Sequence, residues 1–583
     1  MKRLAPFLAA AGSGLATSLA LPLVVRLVSL REIDPAGWLE LLAWISLVPA
    51  LLALRAARGA GEAARLGLLS GFVFFVASIH WVSHAMTAFG GLPEWFSLIA
   101  LGLLVLFMTV HWSATFAISW TLRARLGWPL WTHLPFTWAA LELCRNYLFS
   151  GFPWADLGYT QARTLWVAQL ASLGGVYLLA ALVAGVNAVI AEVVAARRDG
   201  APFPRLAAAS AAAAVILTLG YGAIHLRTVR ARLVAAPTFS VGIVQPNVDQ
   251  SRKNRARDNA RYILPRLVEP TLEADRAGAD LVAWPEASYP LYVPTGTTSL
   301  GARSNSGIPV LEHAHLLAGV AVVDEFRDES GRRRNRIGNV NLMLSPTLEV
   351  LGSYRKNHLV PFGEYVPLGR WLGFLKQVVP SFAPSFPGTD LAQLTFPAPA
   401  ARAPGAAALA SSDPSAAPAA LPAAPDLVRL APMICFDAIF PEINVTFARQ
   451  EPEPEVLVNT TNDAWYGHSA GPYQFLAIVR LRAIEVGKAM VRPAYAGVSA
   501  VILPTGEVAP GAIEVGPVEP QALPSEEPPH LLLADVPRLR GRTVYTMIGD
   551  SFAWACAAFT AGALALAAWR RRRPAPAMST TER

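Results

Sequence analysis

Hydrophobic positions follow two regimes along the chain. Up to about residue 226 they run in nearly unbroken apolar stretches, near 5–25, 38–54, 66–87, 96–121, 129–149, 164–195 and 206–225, and one more lies near 546–569. A helix needs roughly 20 apolar residues to cross the hydrocarbon core. The pattern therefore predicts a multi-span helical membrane bundle of about eight helices, the longer ones tilted or overrunning the bilayer. Between about 227 and 545 short β-rich runs alternate with helical stretches, an α/β pattern. Strands are predicted at 239–245, 280–284, 316–323, 339–344, 429–435, 455–459 and 498–503, and a helix at 263–277. Residues 396–426, rich in Ala, Pro and Ser, are too poor in large apolar side chains to build a core and predict a flexible surface insertion. A shorter loop of the same kind is expected at 508–530. The domain plan is a seven-span bundle at 1–226, a water-soluble domain at 227–545, an eighth span at 546–569 and a basic tail at 570–583.

Composition sharpens this plan. The 583 residues are 53% hydrophobic and 15% charged, with a mean hydropathy of +0.38, too apolar for a wholly soluble protein of this size. The net charge of +8 comes largely from basic residues flanking the apolar stretches, including Arg570, Arg571, Arg572 and Arg573. Cations in that position set membrane orientation and give no reason to expect nucleic acid. With the N-terminus inside, Lys2, Arg3, Arg55, Arg58, Arg65, Arg123, Arg125, Arg197, Arg198, Arg205 and the tail fall on the cytoplasmic side, against Arg26, Arg31 and Arg163 in the short outer loops. The 227–545 domain is then outside. Arg227, Arg230 and Arg232 run against this, but long domains cross largely regardless of charge. The first stretch has the form of a signal peptide; its small residues lead straight into further apolar sequence, so it is read as a retained anchor.

Of three cysteines, Cys144 and Cys556 fall in apolar stretches, and Cys435 alone lies in the soluble domain. It follows a strand-like run, Ala431-Pro432-Met433-Ile434. Alone in its domain it is either an inert thiol or a nucleophile. Two further segments bear on the choice. In Trp284-Pro285-Glu286, Glu286 is the first polar group beyond an apolar strand. Lys356 opens the run Lys356-Asn357-His358-Leu359-Val360-Pro361-Phe362-Gly363-Glu364. A carboxylate in a drying pocket suits the removal of a thiol proton. A neighbouring ammonium favours thiolate and oxyanion. Together they make a thiol able to attack a carbonyl, form a thioester and pass the acyl group on.

These segments resemble the apolipoprotein N-acyltransferases, bacterial inner-membrane enzymes with a nitrilase-like domain on a membrane bundle. The resemblance covers essentially the whole chain. It is carried by the Trp-Pro-Glu motif, the Lys356–Glu364 run, Asn462-Asp463-Ala464-Trp465 with Arg482-Ala483-Ile484-Glu485, Gln245-Pro246-Asn247, and the loop Ser150-Gly151-Phe152-Pro153-Trp154. It implies an αββα sandwich with Glu286 as general base, Lys356 as stabiliser of oxyanion and thiolate, and Cys435 as the acyl-carrying nucleophile. Glu364, Asn339 and Asp437 are implied as supporting groups. It further implies a phospholipid acyl donor, a diacylglyceryl lipoprotein acceptor, no cofactor, and a multi-pass location in the bacterial inner membrane with the catalytic domain on the periplasmic side. Three positions depart from the family pattern: Asp437 stands where glutamate is usual, Asn254 where tryptophan is common, and Ala494-Tyr495 where a Thr-Asn pair is common.

Two other classes stand beside this one: a membrane-tethered nitrilase-type amidase with water as acceptor, and a non-catalytic membrane protein with a nitrilase-like domain. His313 and His315 lack a third ligand at metal spacing, so no metal site is expected. Asn459-Thr460-Thr461 and Asn444-Val445-Thr446 match the glycosylation pattern only by chance. Trp81, Trp95, Trp112, Trp128, Trp131 and Trp138 are expected as interfacial anchors, and Glu142 and Arg145 as a pair inside the bundle.

Overall fold

The computed structural model describes all residues except 1–3, 23, 26–27, 30–37, 302–305, 328–331, 362, 366–384, 400–425, 468, 516–527 and 573–583. Most of the predicted insertion at 396–426, part of the 508–530 loop and most of the basic tail lie outside the described residues.

The apolar stretches form helices: α1 (Ala5–Leu19), α2 (Val48–Ala56, entered through a 3-10 turn at Trp38–Trp44), α3 (Ala60–Ile79), α4 (Glu94–Leu126), α5 (Leu134–Tyr147), α6 (Ala171–Asp199), α7 (Arg205–Ala235) and, after the soluble domain, α11 (Ser551–Arg572). Among the described residues six helical segments are long and apolar enough to cross a membrane: Trp38–Ala56, α3, α4, α6, α7 and α11. Their outward faces carry exposed Leu103, Leu106, Val110, Ile216, Leu217, Ile224 and Trp554. So continuous an apolar surface belongs in lipid, and the protein is a membrane protein.

Helix α5 has 14 residues, about 21 Å at 1.5 Å per residue and short of a ~30 Å hydrocarbon core. It is lined with buried polar groups. Arg145 forms its ion pair with Asp156, while Glu142 accepts from Trp138 Nε1 and the Leu157 amide, both at 2.9 Å. Arg145 stays in electrostatic reach of Glu142, as expected, but its hydrogen-bonded ion pair is with Asp156, which the loop after α5 brings back over the helix. Trp112 and Trp138, expected at the interface, are instead fully buried with ring centroids 4.8 Å apart. They sit where α4 and α5 face each other. Trp81 is also buried, whereas Trp95 is 64% exposed.

The soluble domain is two sheets back to back. The first has the order β12-β1-β2-β3-β4-β5, with β1 (Thr238–Gln245), β2 (Leu281–Ala283), β3 (His315–Arg327), β4 (Arg333–Leu344), β5 (Val350–Arg355) and β12 (His530–Pro537). The second runs β11-β10-β9-β8-β7-β6, with β6 (Leu394–Pro397), β7 (Leu427–Ile434), β8 (Val456–Thr460), β9 (Ala489–Arg492), β10 (Gly497–Ile502) and β11 (Ile513–Val515). Strands β1, β2 and β3 are mutually parallel, as are β7, β8 and β9. Period-two alternation decides the layers. Phe239, Val241, Ile243, Leu281, Ala283 and Leu317 face the second sheet, joining Met433, Val458 and Met490 in one core. The alternate residues Val244, Val282, Trp284, Leu316 and Ala318 face outward, where Ile263, Leu267 and Ala274 of α8 (Ala260–Arg276) cover them. Helices α9 (Pro441–Ala448) and α10 (Gly471–Val486) belong to the core around the second sheet. The result is the αββα sandwich expected from the resemblance.

Strand β6 occupies residues where the 396–426 insertion was expected to begin. It pairs antiparallel with β7 through Phe396↔Val428 and Pro397↔Leu427. Chain entry and exit lie side by side: β1 follows α7 after two residues, and β12 pairs with β1 along its length, Thr238↔Pro537 to Gln245↔His530.

Candidate active site

The parallel strands deliver their last residues to one end of the sandwich. Strand β2 ends at Ala283. Trp284 is fully buried, and its Nε1 donates to Thr271 Oγ1 of α8 at 2.8 Å. The chain then turns through Pro285 and Glu286 into Ala287, whose φ of +43° is left-handed. Adjacent β3 makes room with Gly319: a Cβ there would lie 2.0 Å from the Pro285 carbonyl oxygen. The Gly319 carbonyl in turn accepts from the Tyr289 amide at 3.1 Å.

Lys356 follows β5 directly, its amide bonded to the Asn339 carbonyl at 3.0 Å. Its ammonium is buried and lies 3.0 Å from Glu286 Oε1 and 3.1 Å from the Glu364 carboxylate. Asn339 Nδ2 completes the bridge, donating to Glu286 at 3.1 Å and Glu364 at 2.9 Å. Glu364 also accepts from the Val360 amide at 2.8 Å. Burial alone would drive the Lys356 proton off, but Glu286, Glu364 and Asp437 more than offset it, and the amine is held well above its ordinary value.

Cys435 follows β7 directly and opens a 3-10 turn, Cys435–Ile439, with φ +49°. Asp437 holds that turn. Fully buried, it accepts from the Ile434 amide at 3.1 Å, the His358 amide at 2.7 Å and the Tyr354 hydroxyl at 2.9 Å. Burial raises its carboxyl to about 6, against the pull of Lys356 and these donors. Asn459 Nδ2 donates to the Cys435 carbonyl at 3.1 Å. The thiol is buried and pushed up to about 12, first by burial and then by the Glu286 charge, with Lys356 and Thr461 opposing. At neutral pH Cys435 is a protonated thiol.

The structure brings Glu286, Asn339, Lys356, Glu364, Cys435 and Asp437 to one site. Two residues that the sequence did not single out belong to it. Tyr354 anchors Asp437. Lys253, in the helical turn Gln250–Lys253, donates its Nζ to the Glu286 carbonyl at 2.8 Å. It stands among Arg252, Arg255 and Arg257, and nothing local in the sequence marks that contact. The floor is fixed by a buried bidentate pair, Arg492 to Asp463, 2.9 Å on each arm. Among the described residues no group of three or more His, Cys, Asp or Glu side chains is placed to hold a metal ion.

The site abuts the bundle. Phe152, in the loop after α5, stacks on Phe436 with centroids 6.0 Å apart, and Ser150 Oγ lies 3.0 Å from Tyr365 Oη. Helix α10 fixes the junction through Gln474. Its carbonyl accepts from Trp81 Nε1 at 3.2 Å and Trp154 Nε1 at 2.8 Å, and its amide donates to the Pro22 and Ser78 carbonyls at 3.0 Å.

Comparison with known proteins gives two family matches in series: the apolipoprotein N-acyltransferase N-terminal domain over residues 27–189, and the carbon-nitrogen hydrolase domain over 240–517. The chain is similar to the apolipoprotein N-acyltransferase of Geobacter metallireducens, 32% identical over 92% of this chain and 93% of the relative. It is also similar to that of Vibrio vulnificus, 28% identical over 88% and 90% respectively. Among solved structures, a Saccharomyces cerevisiae member of branch 10 of the nitrilase superfamily matches 54% of this chain and 93% of its own, at 14% identity and a TM-score of 0.32. An amidase from Nesterenkonia matches 52% and 91%, at 17% identity and a TM-score of 0.27.

Proposed function

The chain belongs to the apolipoprotein N-acyltransferase family, and on that premise we propose that Cys435 carries the acyl group, Glu286 moves its proton and Lys356 steadies the charge. The protein is a membrane acyltransferase of lipoprotein biosynthesis. Its donor on this reading is a phospholipid, and its acceptor is the free α-amino group of an N-terminal diacylglyceryl-cysteine.

The cycle has two halves. Cys435 Sγ attacks the donor's ester carbonyl carbon while its proton passes to the Glu286 carboxylate. The oxyanion of the tetrahedral intermediate is stabilised by the Lys356 ammonium. The carbon–oxygen bond breaks, Glu286 returns the proton to the departing glycerol oxygen, and a lysophospholipid leaves a thioester on Cys435. The acceptor amine then attacks the thioester carbonyl. A carbon–nitrogen bond forms, the carbon–sulfur bond breaks, and Glu286 carries a proton from the amine to the departing sulfur. An α-amino group has an ordinary pKa near 8, so a useful fraction is neutral at physiological pH.

The observation that carries this reading is the Glu286–Lys356–Glu364 cluster in electrostatic reach of a buried thiol, set directly against the membrane bundle at Phe152. Moving an acyl chain through water costs roughly 0.8 kcal/mol per CH₂, and a site at the bundle avoids that transfer. We place the chain in the bacterial inner membrane with the 227–545 domain on the periplasmic side, as the arginine distribution indicates. The test is intact-protein mass spectrometry after mixing with phospholipids of defined chains. One acyl mass, released by hydroxylamine and missing in Cys435→Ala, is expected. Acylation that persists in Cys435→Ala would overturn the reading.

A further inference from the structure

The reactive cluster carries more negative than positive charge when Lys356 is its sole cation. That one ammonium is shared by Glu286 and Glu364 at 3.0 and 3.1 Å, with the Asp437 carboxyl nearby. When the thiol proton moves to Glu286, the sulfur takes up the negative charge that Glu286 gives away, so the surplus stays in the pocket. A buried site of that sign resists a thiolate unless a further cation faces it.

Lys253 stands where such a cation is needed. It ends the turn Gln250–Lys253, which hangs from the C-terminal end of β1. Its Nζ donates to the Glu286 backbone carbonyl at 2.8 Å and sits 4.0 Å over the ring of buried Tyr495. The carbonyl it grips belongs to the residue just before Ala287, where the backbone is left-handed. The charged groups it faces are Glu286, Cys435 and Lys356. Resting on the reading that Cys435 forms the thioester with Glu286 as base, we propose that Lys253 is a positioning residue for that step: it pins the Glu286 peptide so that the carboxylate addresses the thiol, and it supplies the second positive charge that lets Cys435 ionise.

The same environment makes this charge titratable in the working range. Burial brings Lys253 down to about 8, against the pull of Glu286 and Cys435 and with the push of Lys356. A lysine with a lowered pKa is charged below that value and neutral above it. Because the thiol, protonated throughout this range, hands its proton to Glu286 and not to solvent, thioester formation should fall by about tenfold on the alkaline side of about pH 8. An arginine keeps its charge beyond pH 12, so Lys253→Arg should move that alkaline fall upward or abolish it. Lys253→Met keeps the apolar stem without the charge and should lower the rate at pH 7 by about tenfold, equivalent to one pKa unit on the thiol.

The experiment measures thioester formation from a defined phospholipid in nanodiscs between pH 6 and 10, for the wild type, Lys253→Met and Lys253→Arg. The expected result is an alkaline fall near pH 8 in the wild type, its displacement in Lys253→Arg, and a depressed rate in Lys253→Met. If the wild type forms the thioester but both variants match it across the range, Lys253 has no such role. A rate lowered equally at every pH in both variants, with no displaced limb, marks a purely structural contact and also overturns the proposal. A wild type that forms no thioester overturns the Cys435 reading itself, and the proposal with it.

Discussion

At the residue scale the site works through contrast. Lys356 is locked in its charged form by two carboxylates, while Cys435 is locked in its neutral form by burial and by Glu286. The thiol is therefore not ionised at rest. This predicts an alkylation profile. With the thiol near 12, its thiolate fraction rises about tenfold per pH unit below that value. Labelling of Cys435 by iodoacetamide in the resting protein should climb from pH 6 to 8 without a plateau. A plateau below pH 8 would mean a preformed thiolate. Asp437 offers a second prediction. In Asp437→Asn an amide nitrogen replaces an oxygen that accepts from His358, or from Ile434 and Tyr354. Each donor left unpaired in the interior costs about 1–3 kcal/mol. The turn carrying Cys435 should loosen, and the rate of thioester formation should drop at least about tenfold. An unchanged rate would show that Asp437 does not set the geometry of the nucleophile.

At the scale of elements, the site depends on how closely β3 approaches the end of β2. Gly319 permits that approach, since a Cβ would sit 2.0 Å from the Pro285 oxygen and 2.9 Å from the Ala287 nitrogen. Backbone cannot swing aside as a flexible side chain can, so Gly319→Ala should shift the Glu286 turn. The expected outcome is a folded protein, judged by circular dichroism, with thioester formation reduced by about a hundredfold, the cost typical of a displaced reacting group. Normal activity in Gly319→Ala would show that the turn tolerates displacement. The elements themselves were unevenly legible. The seven predicted strands all occur, because each is an apolar run bounded by turn residues. Strands β5, β6, β9, β11 and β12 were missed. β6 lies in Pro- and Ala-rich sequence and β12 follows a long Pro-rich stretch. They become strands because edges of β7 and β1 stand open to receive them, a pairing between segments distant in sequence.

At the scale of the whole molecule, the two halves are joined by buried polar groups. Gln474 satisfies two indole N–H groups and two backbone carbonyls at once. Helix α10 adds Glu485, which accepts from the Val176 amide of α6 at 2.9 Å and pairs with Arg482 at 2.7 Å. Gln474→Leu leaves Trp81 and Trp154 without their acceptor, a cost of about 2–6 kcal/mol for the two. The thermal transition of the purified protein in detergent should fall by several degrees; an unchanged transition would deny Gln474 its role as a clamp. Orientation is testable at the same scale. A periplasmic reporter should be active when fused after Ala235 and a cytoplasmic one when fused after Arg573. The reverse pattern would invert the topology.

The sequence by itself determined the division into a membrane bundle and an α/β domain, and it marked Glu286, Lys356 and Cys435 as the candidate site. These rest on local facts: unbroken apolar length, period-two alternation, and polar groups standing just past apolar strands. It also determined the family, through motifs that are contiguous in the chain. Tertiary structure alone decided that Arg145 pairs with Asp156, that Trp112 and Trp138 lie inside the bundle, and that Lys253 holds the Glu286 carbonyl. The physical reason is common to all three. A charge or a ring chooses its partner by distance and by the dielectric around it, and both are fixed only when segments far apart in sequence close on one another.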